Sequence, residues 1–148
     1  MKLSNYIKLV IIHPLNLRAS ITQYEQDNSI FTPIPVNEAI EVNLSFKRII
    51  KISNLDNLLG LRKLKLENNM IMKIENLDHL VNLTWLDLSF NQIKKIEGLN
   101  NLQNLTDLSL FNNQIAELDG LNNCRKLNIL SIGRNQIAVL KHVSIVRV

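Results

Sequence analysis

The sequence predicts an α/β solenoid of about five 22-residue repeats, each giving one short strand to a parallel concave sheet and returning along the convex side by a short helical or irregular segment. Two observations carry this. Leu83, Leu86, Leu88, Asn91, Ile93, Ile96, Leu99 and Leu102 recur with the same spacing 22 residues earlier, from Leu61 to Leu80, and 22 residues later, from Leu105 to Cys124. Further copies run from Ala39 to Leu58 and from Leu127 to Val146. Within a copy, Leu86 and Leu88 stand two apart, so both point to one side of a strand while Trp85, Asp87 and Ser89 point to the other, open side.

After the strand the chain must turn sharply, which leaves backbone groups buried between coils without sheet partners. Asn69, Asn91, Asn113 and Asn135 stand at that point in four successive copies, and an amide side chain supplies both a donor and an acceptor. They are expected to stack as a ladder. Ile93, Ile96, Leu99 and Leu102 then bring the chain back and seal a core that no single copy could bury. The resulting string, Leu-x-x-Leu-x-Leu-x-x-Asn-x-Ile, resembles the leucine-rich repeat.

Three segments are expected: an extended or disordered extension at 1–30, a capping segment at 31–38 where Pro33 and Pro35 forbid regular helix, and the repeat domain at 39–148. Lys47 replaces the ladder Asn in the first copy, which an end coil can tolerate. No polar closing unit follows the last copy, so Val148 reads either as a truncation point or as an end that another protein covers. The apolar run from Ile7 to Ile12 is broken by Lys8 and stopped by His13 and Pro14, too short to span a membrane.

The net charge of +4 comes from basic residues that alternate with acidic ones, as in Lys94-Lys95-Ile96-Glu97. That pattern argues for a solvated face and against nucleic acid as a partner. The single cysteine, Cys124, permits no internal disulfide and occupies a core slot as a small hydrophobe, which favours an intracellular setting. His13, His79 and His142 are scattered, and no nucleophile set, metal-ligand spacing or phosphate loop accompanies them. No catalytic, metal or cofactor site is expected, and the chain reads as a non-enzyme.

What the repeats build is a curved wall for another protein. Strand positions facing the concave side form columns of Glu41, Lys63, Trp85, Asp107 and Ile129, and of Asn43, Lys65, Asp87, Ser109 and Ser131. A third column holds Ser45, Glu67, Ser89, Phe111 and Gly133. The expected binding residues are Lys63, Lys65, Trp85, Asp87, Phe90, Asp107, Phe111 and Ile129, with the aromatic side chains as anchors and the charges as their rim.

The segments Leu44–Leu55, Leu61–Asn69, Trp85–Asn91 and Leu108–Asn113 are similar to the dynein regulatory complex subunit 3 family, over about Val36 to Leu140. The likeness includes Trp85, Phe90 and Phe111, which a solenoid alone does not require. It implies a structural subunit of the nexin and dynein regulatory complex in the ciliary axoneme, part of the cytoskeleton of a motile cell projection, with other axonemal proteins as partners and no cofactor. Members of that family continue into long coiled coils, and none follows here. A regulatory subunit of protein phosphatase 1 and an axonemal dynein light chain share the repeat type. A domain cut from a larger enzyme is the rival from another class.

Overall fold

The computed structural model describes residues 39–138, and strands form where the Leu-x-Leu pairs stand: β1 Glu41–Asn43, β2 Lys63–Lys65, β3 Trp85–Asp87, β4 Asp107–Ser109 and β5 Ile129–Ser131. They make one parallel sheet in chain order, each residue paired with the one 22 positions on: Glu41 with Lys63, Lys63 with Trp85, Trp85 with Asp107, Asp107 with Ile129. The fold is thus a parallel-strand solenoid. The central residues Val42, Leu64, Leu86 and Leu108 are buried, and pairing continues past the strands, with the Leu66 N–H donating to Asp87 O (2.8 Å) and the Asn68 N–H to Ser89 O (3.0 Å).

Of the two forms expected for the convex side, the irregular one is found. Ile71, Ile74, Leu77, Leu80 and Leu83 are all buried at intervals of three. An α-helix, at about 3.6 residues per turn, would rotate such a stripe away from the core within a few steps. The chain instead runs as linked tight turns, the Leu80 N–H donating to Leu77 O and the Leu83 N–H to Leu80 O (both 2.9 Å). Side chains tie each return to the preceding coil: Asn76 Nδ2 donates to Ile52 O (2.7 Å), Asn82 Nδ2 to Leu59 O (2.9 Å) and Asn104 Nδ2 to Val81 O (2.9 Å), while His79 Nε2 lies 2.9 Å from Leu55 O. His79 therefore serves coil-to-coil packing.

The ladder forms as expected. Asn91 Oδ1 accepts the Ile71 N–H (3.0 Å), and its Nδ2 donates to Leu66 O, Leu88 O and Ser89 O (3.0, 3.0 and 3.1 Å). Asn113 and Asn135 repeat the pattern, accepting from Ile93 and Ile115 (both 3.0 Å). Asn69 accepts from both the Lys47 and Ile49 N–H groups (3.0 and 2.9 Å), so the first coil manages with an exposed Lys47. Cys124 sits in the core with Sγ 3.7 Å from Leu99 O, and burial pushes its thiol up. Leu118, Leu127, Leu130 and Ile132 are half-buried, so the core thins toward the last described coil. The 1–30 extension, the 31–38 cap, and slots beyond Ala138 such as Leu140, Val143 and Val146 lie outside the described residues.

Two recurrent backbone conformations went unanticipated. The residue before each ladder position is left-handed: Phe46, Asn68, Phe90, Asn112 and Arg134 have φ between 53° and 59°. Asn54, Asn76, Gly98 and Gly120 form a second such column on the return, with φ of 62°, 59°, 68° and 84°. Asn tolerates this region, and its recurrence with Gly at one repeat position was the available signal.

Replacing Asn91 by Leu removes one acceptor and two donors from buried backbone, at about 1 to 3 kcal/mol for each group left unpaired. Urea denaturation should show a loss above about 3 kcal/mol, and an unchanged midpoint would remove the ladder from the stability argument. At Gly120 a Cβ would lie 2.1 Å from Ile96 O on a backbone with φ of 84°. Gly120→Ala should therefore lower stability by about 1 to 3 kcal/mol, whereas Gly133→Ala, free of positive φ, should be milder when both are followed by thermal melting.

Candidate protein-binding surface

The three-residue strands fix the concave wall because β1 to β4 each bury the second residue and leave the first and third exposed or part-exposed. The paired register places Glu41, Lys63, Trp85, Asp107 and Ile129 in one row and Asn43, Lys65, Asp87, Ser109 and Ser131 in the next. These are the columns read from the sequence. With coils about 4.8 Å apart, neighbours in a row touch and the wall behaves as one rigid surface.

The aromatic residues divide into two groups. Trp85 is half-buried, and Lys65 Nζ lies 5.9 Å from its ring centroid. Lys65 also reaches Glu41 at 2.9 Å, and the bond and charge of each hold the Glu41 carboxyl below and the Lys65 ammonium above its ordinary range. Phe90 and Phe111 meet edge to face, centroids 5.6 Å apart, with Arg134 Cζ 5.6 Å from the Phe111 ring. Gly133 makes this possible, since a Cβ there would lie 3.2 Å from Phe111 Cδ2 and Cε2. The structure thus joins Phe90 to Phe111 through Gly133 and Arg134, two residues the sequence did not mark as anchors. Among the described residues no ring pair links Trp85 to either phenylalanine.

The flanking charges are partly engaged. Asp87 Oδ1 accepts the Ser89 N–H (2.8 Å), and Asp107 Oδ2 accepts from Thr106 Oγ1 (2.6 Å). Burial and the neighbouring Asp87 carboxylate hold the Glu67 carboxyl above its ordinary range. Ser89, just past β3, and Ser109 in β4 share a hydroxyl hydrogen bond of 2.6 Å. Lys63 and Ile129 stand exposed at the outer row, Ile129 with 55% of its surface in solvent. Phe90 is 41% exposed on a backbone with φ of 54°, an uncommon and costly conformation for a bulky side chain.

Among the described residues, no three of His, Cys, Asp and Glu gather as a metal site, and no helix is long and apolar enough to cross a membrane.

Residues 81–123 and 103–142 each match the family model described as Leucine Rich repeats (2 copies). Among curated proteins none matches the chain. Solved structures are similar: internalin C2 from Listeria monocytogenes str. 4b F2365 at 29% identity and TM-score 0.64, over 73% of this chain and 46% of that one. A chain of the SNF/U2A' complex of Drosophila melanogaster is 33% identical with TM-score 0.59, over 66% of this chain and 60% of that one. The internalin inlF of the same Listeria strain is 35% identical with TM-score 0.55, over 61% and 26%. The chain therefore spans between about a quarter and three fifths of the lengths of these relatives. A 22-residue parallel register, an asparagine ladder bonded coil to coil and these matches agree: the described residues form a leucine-rich repeat solenoid.

Proposed function

We propose that this chain is a non-enzymatic interaction module that holds a protein partner against its concave wall. The observation that carries the reading is the set of part-exposed rings, Trp85, Phe90 and Phe111, on a face whose other side chains, Ile129 apart, are mostly polar. Rings left in water on a rigid backbone give a partner apolar area to bury at about 25 cal/mol per Å² and need little ordering when it arrives. Lys63, Lys65, Asp87 and Asp107 form the charged rim, which sets orientation and approach more than affinity. Ile129 extends the apolar row toward β5.

The setting proposed for this module is the ciliary axoneme, as a subunit of the nexin and dynein regulatory complex that influences dynein-driven motility. Its support is the sequence resemblance, which reaches Trp85, Phe90 and Phe111 as well as the core. A second reading, a scaffold subunit of a different intracellular assembly such as a phosphatase 1 complex, is favoured by the likeness to a chain of the SNF/U2A' complex, itself an assembly of proteins.

A tagged copy expressed in ciliated cells should enter cilia and remain with the axoneme after detergent removes the membrane. Diffuse or nuclear signal would favour the second reading. Trp85→Ala, which opens no core cavity, should leave the melting temperature nearly unchanged while weakening the retained complex by more than about 1 kcal/mol. Equal retention of the variant, or loss of its fold, would take Trp85 out of the binding surface.

A further inference from the structure

Along the chain, cations and carboxylates alternate; across the stacked surface they do not. A 22-residue register superimposes Lys51, Lys73 and Lys95 in one column, and Glu75, Glu97 and Asp119 in another. The segments 46–51, 68–73 and 90–95, where the chain leaves the sheet in the first three coils, contain no Asp or Glu. They do contain Lys47, Arg48, Lys51, Lys73, Lys94 and Lys95, all exposed. The one ion pair they make among the described residues is a 4.0 Å contact between Lys51 and Glu75.

Interleaved with these cations are apolar side chains that the core does not use. Phe46, Ile50, Met70 and Met72 are between 41% and 71% exposed. Ile50 follows the buried Ile49, and Met70 and Met72 flank the buried Ile71, so these three face outward. The Met70 N–H donates to Ile49 O (2.8 Å) and the Phe46 N–H to Glu67 O (3.1 Å), which sets the first two coils, and the exposed apolar residues they carry, side by side. A large exposed apolar patch with a rim of single-sign charge marks an interaction surface, and methionine adapts its shape to what it meets.

We propose that this strand-exit edge is a second docking surface, separate from the concave wall, for an acidic protein segment that also carries aliphatic side chains. Charge complementarity selects the acidic partner. Ile50, Met70 and Met72 give a partner's aliphatic side chains apolar area to bury, which the sugar-phosphate backbone of a nucleic acid does not supply. The edge spans three coils, about 10 to 15 Å at 4.8 Å per coil, the width of a short peptide rather than of a bilayer patch.

The test is fluorescence anisotropy of the full chain with a labelled peptide of alternating Glu and Leu. A peptide of Glu and Ser, a uridine oligonucleotide and vesicles containing phosphatidylserine serve as comparison probes. Binding to the Glu-Leu peptide should fall about tenfold or more in K51E/K73E/K95E and severalfold in I50S/M72S, with the circular dichroism spectrum and melting transition of the parent retained. W85A should bind this peptide as the parent does, so failure here is distinguishable from failure of the concave site. Equal or tighter binding of the Glu-Ser peptide, the oligonucleotide or the vesicles, or unchanged affinity in both edge variants, would overturn the proposal.

Discussion

Each coil of this solenoid leaves backbone N–H and C=O groups stranded where the strand ends and the chain turns away, and the ladder asparagines satisfy them. One amide bonds its own coil and the one before it, as Asn91 does through Leu88 O and Leu66 O. The tight spacing of coils, the burial of Leu86 and Leu88, and the straight rows of the sheet all require that accounting to close. Apolar burial drives the stack together; the ladder decides the register in which it stacks.

That rigidity is what gives the concave wall its use. Side chains on three-residue strands locked by parallel pairing have little freedom, so an exposed ring stays where a partner will find it. Phe111 is held between Phe90 and the bare backbone of Gly133, with Arg134 above it. Phe90 occupies a left-handed position where Asn stands in two other coils, so the edge of the aromatic group rests on strained backbone. A residue less suited to its conformation than its counterparts in neighbouring coils points to a role outside the fold.

The charge distribution shows the same geometry working on electrostatics. Lys94-Lys95-Ile96-Glu97 alternates as text, yet neighbours on this surface are residues 22 apart. Stacking turns the alternation into bands, basic at the strand exit and acidic beyond it.

The repeat length, the five strands, the core slots, the ladder and the concave rows were legible in the sequence, because each rests on one periodicity and on the two-residue alternation of a strand. The convex form was not, since Ile71, Ile74 and Leu77 leave helical and irregular paths open until packing selects the one that keeps a stripe of period three inward. Nor were the left-handed columns at Phe90 and Gly120, the pairing of Lys65 with Trp85 instead of a single aromatic patch, or the separation of charge. These depend on which atoms of adjacent coils lie within a few ångströms of one another, and that proximity exists only once the coils have stacked.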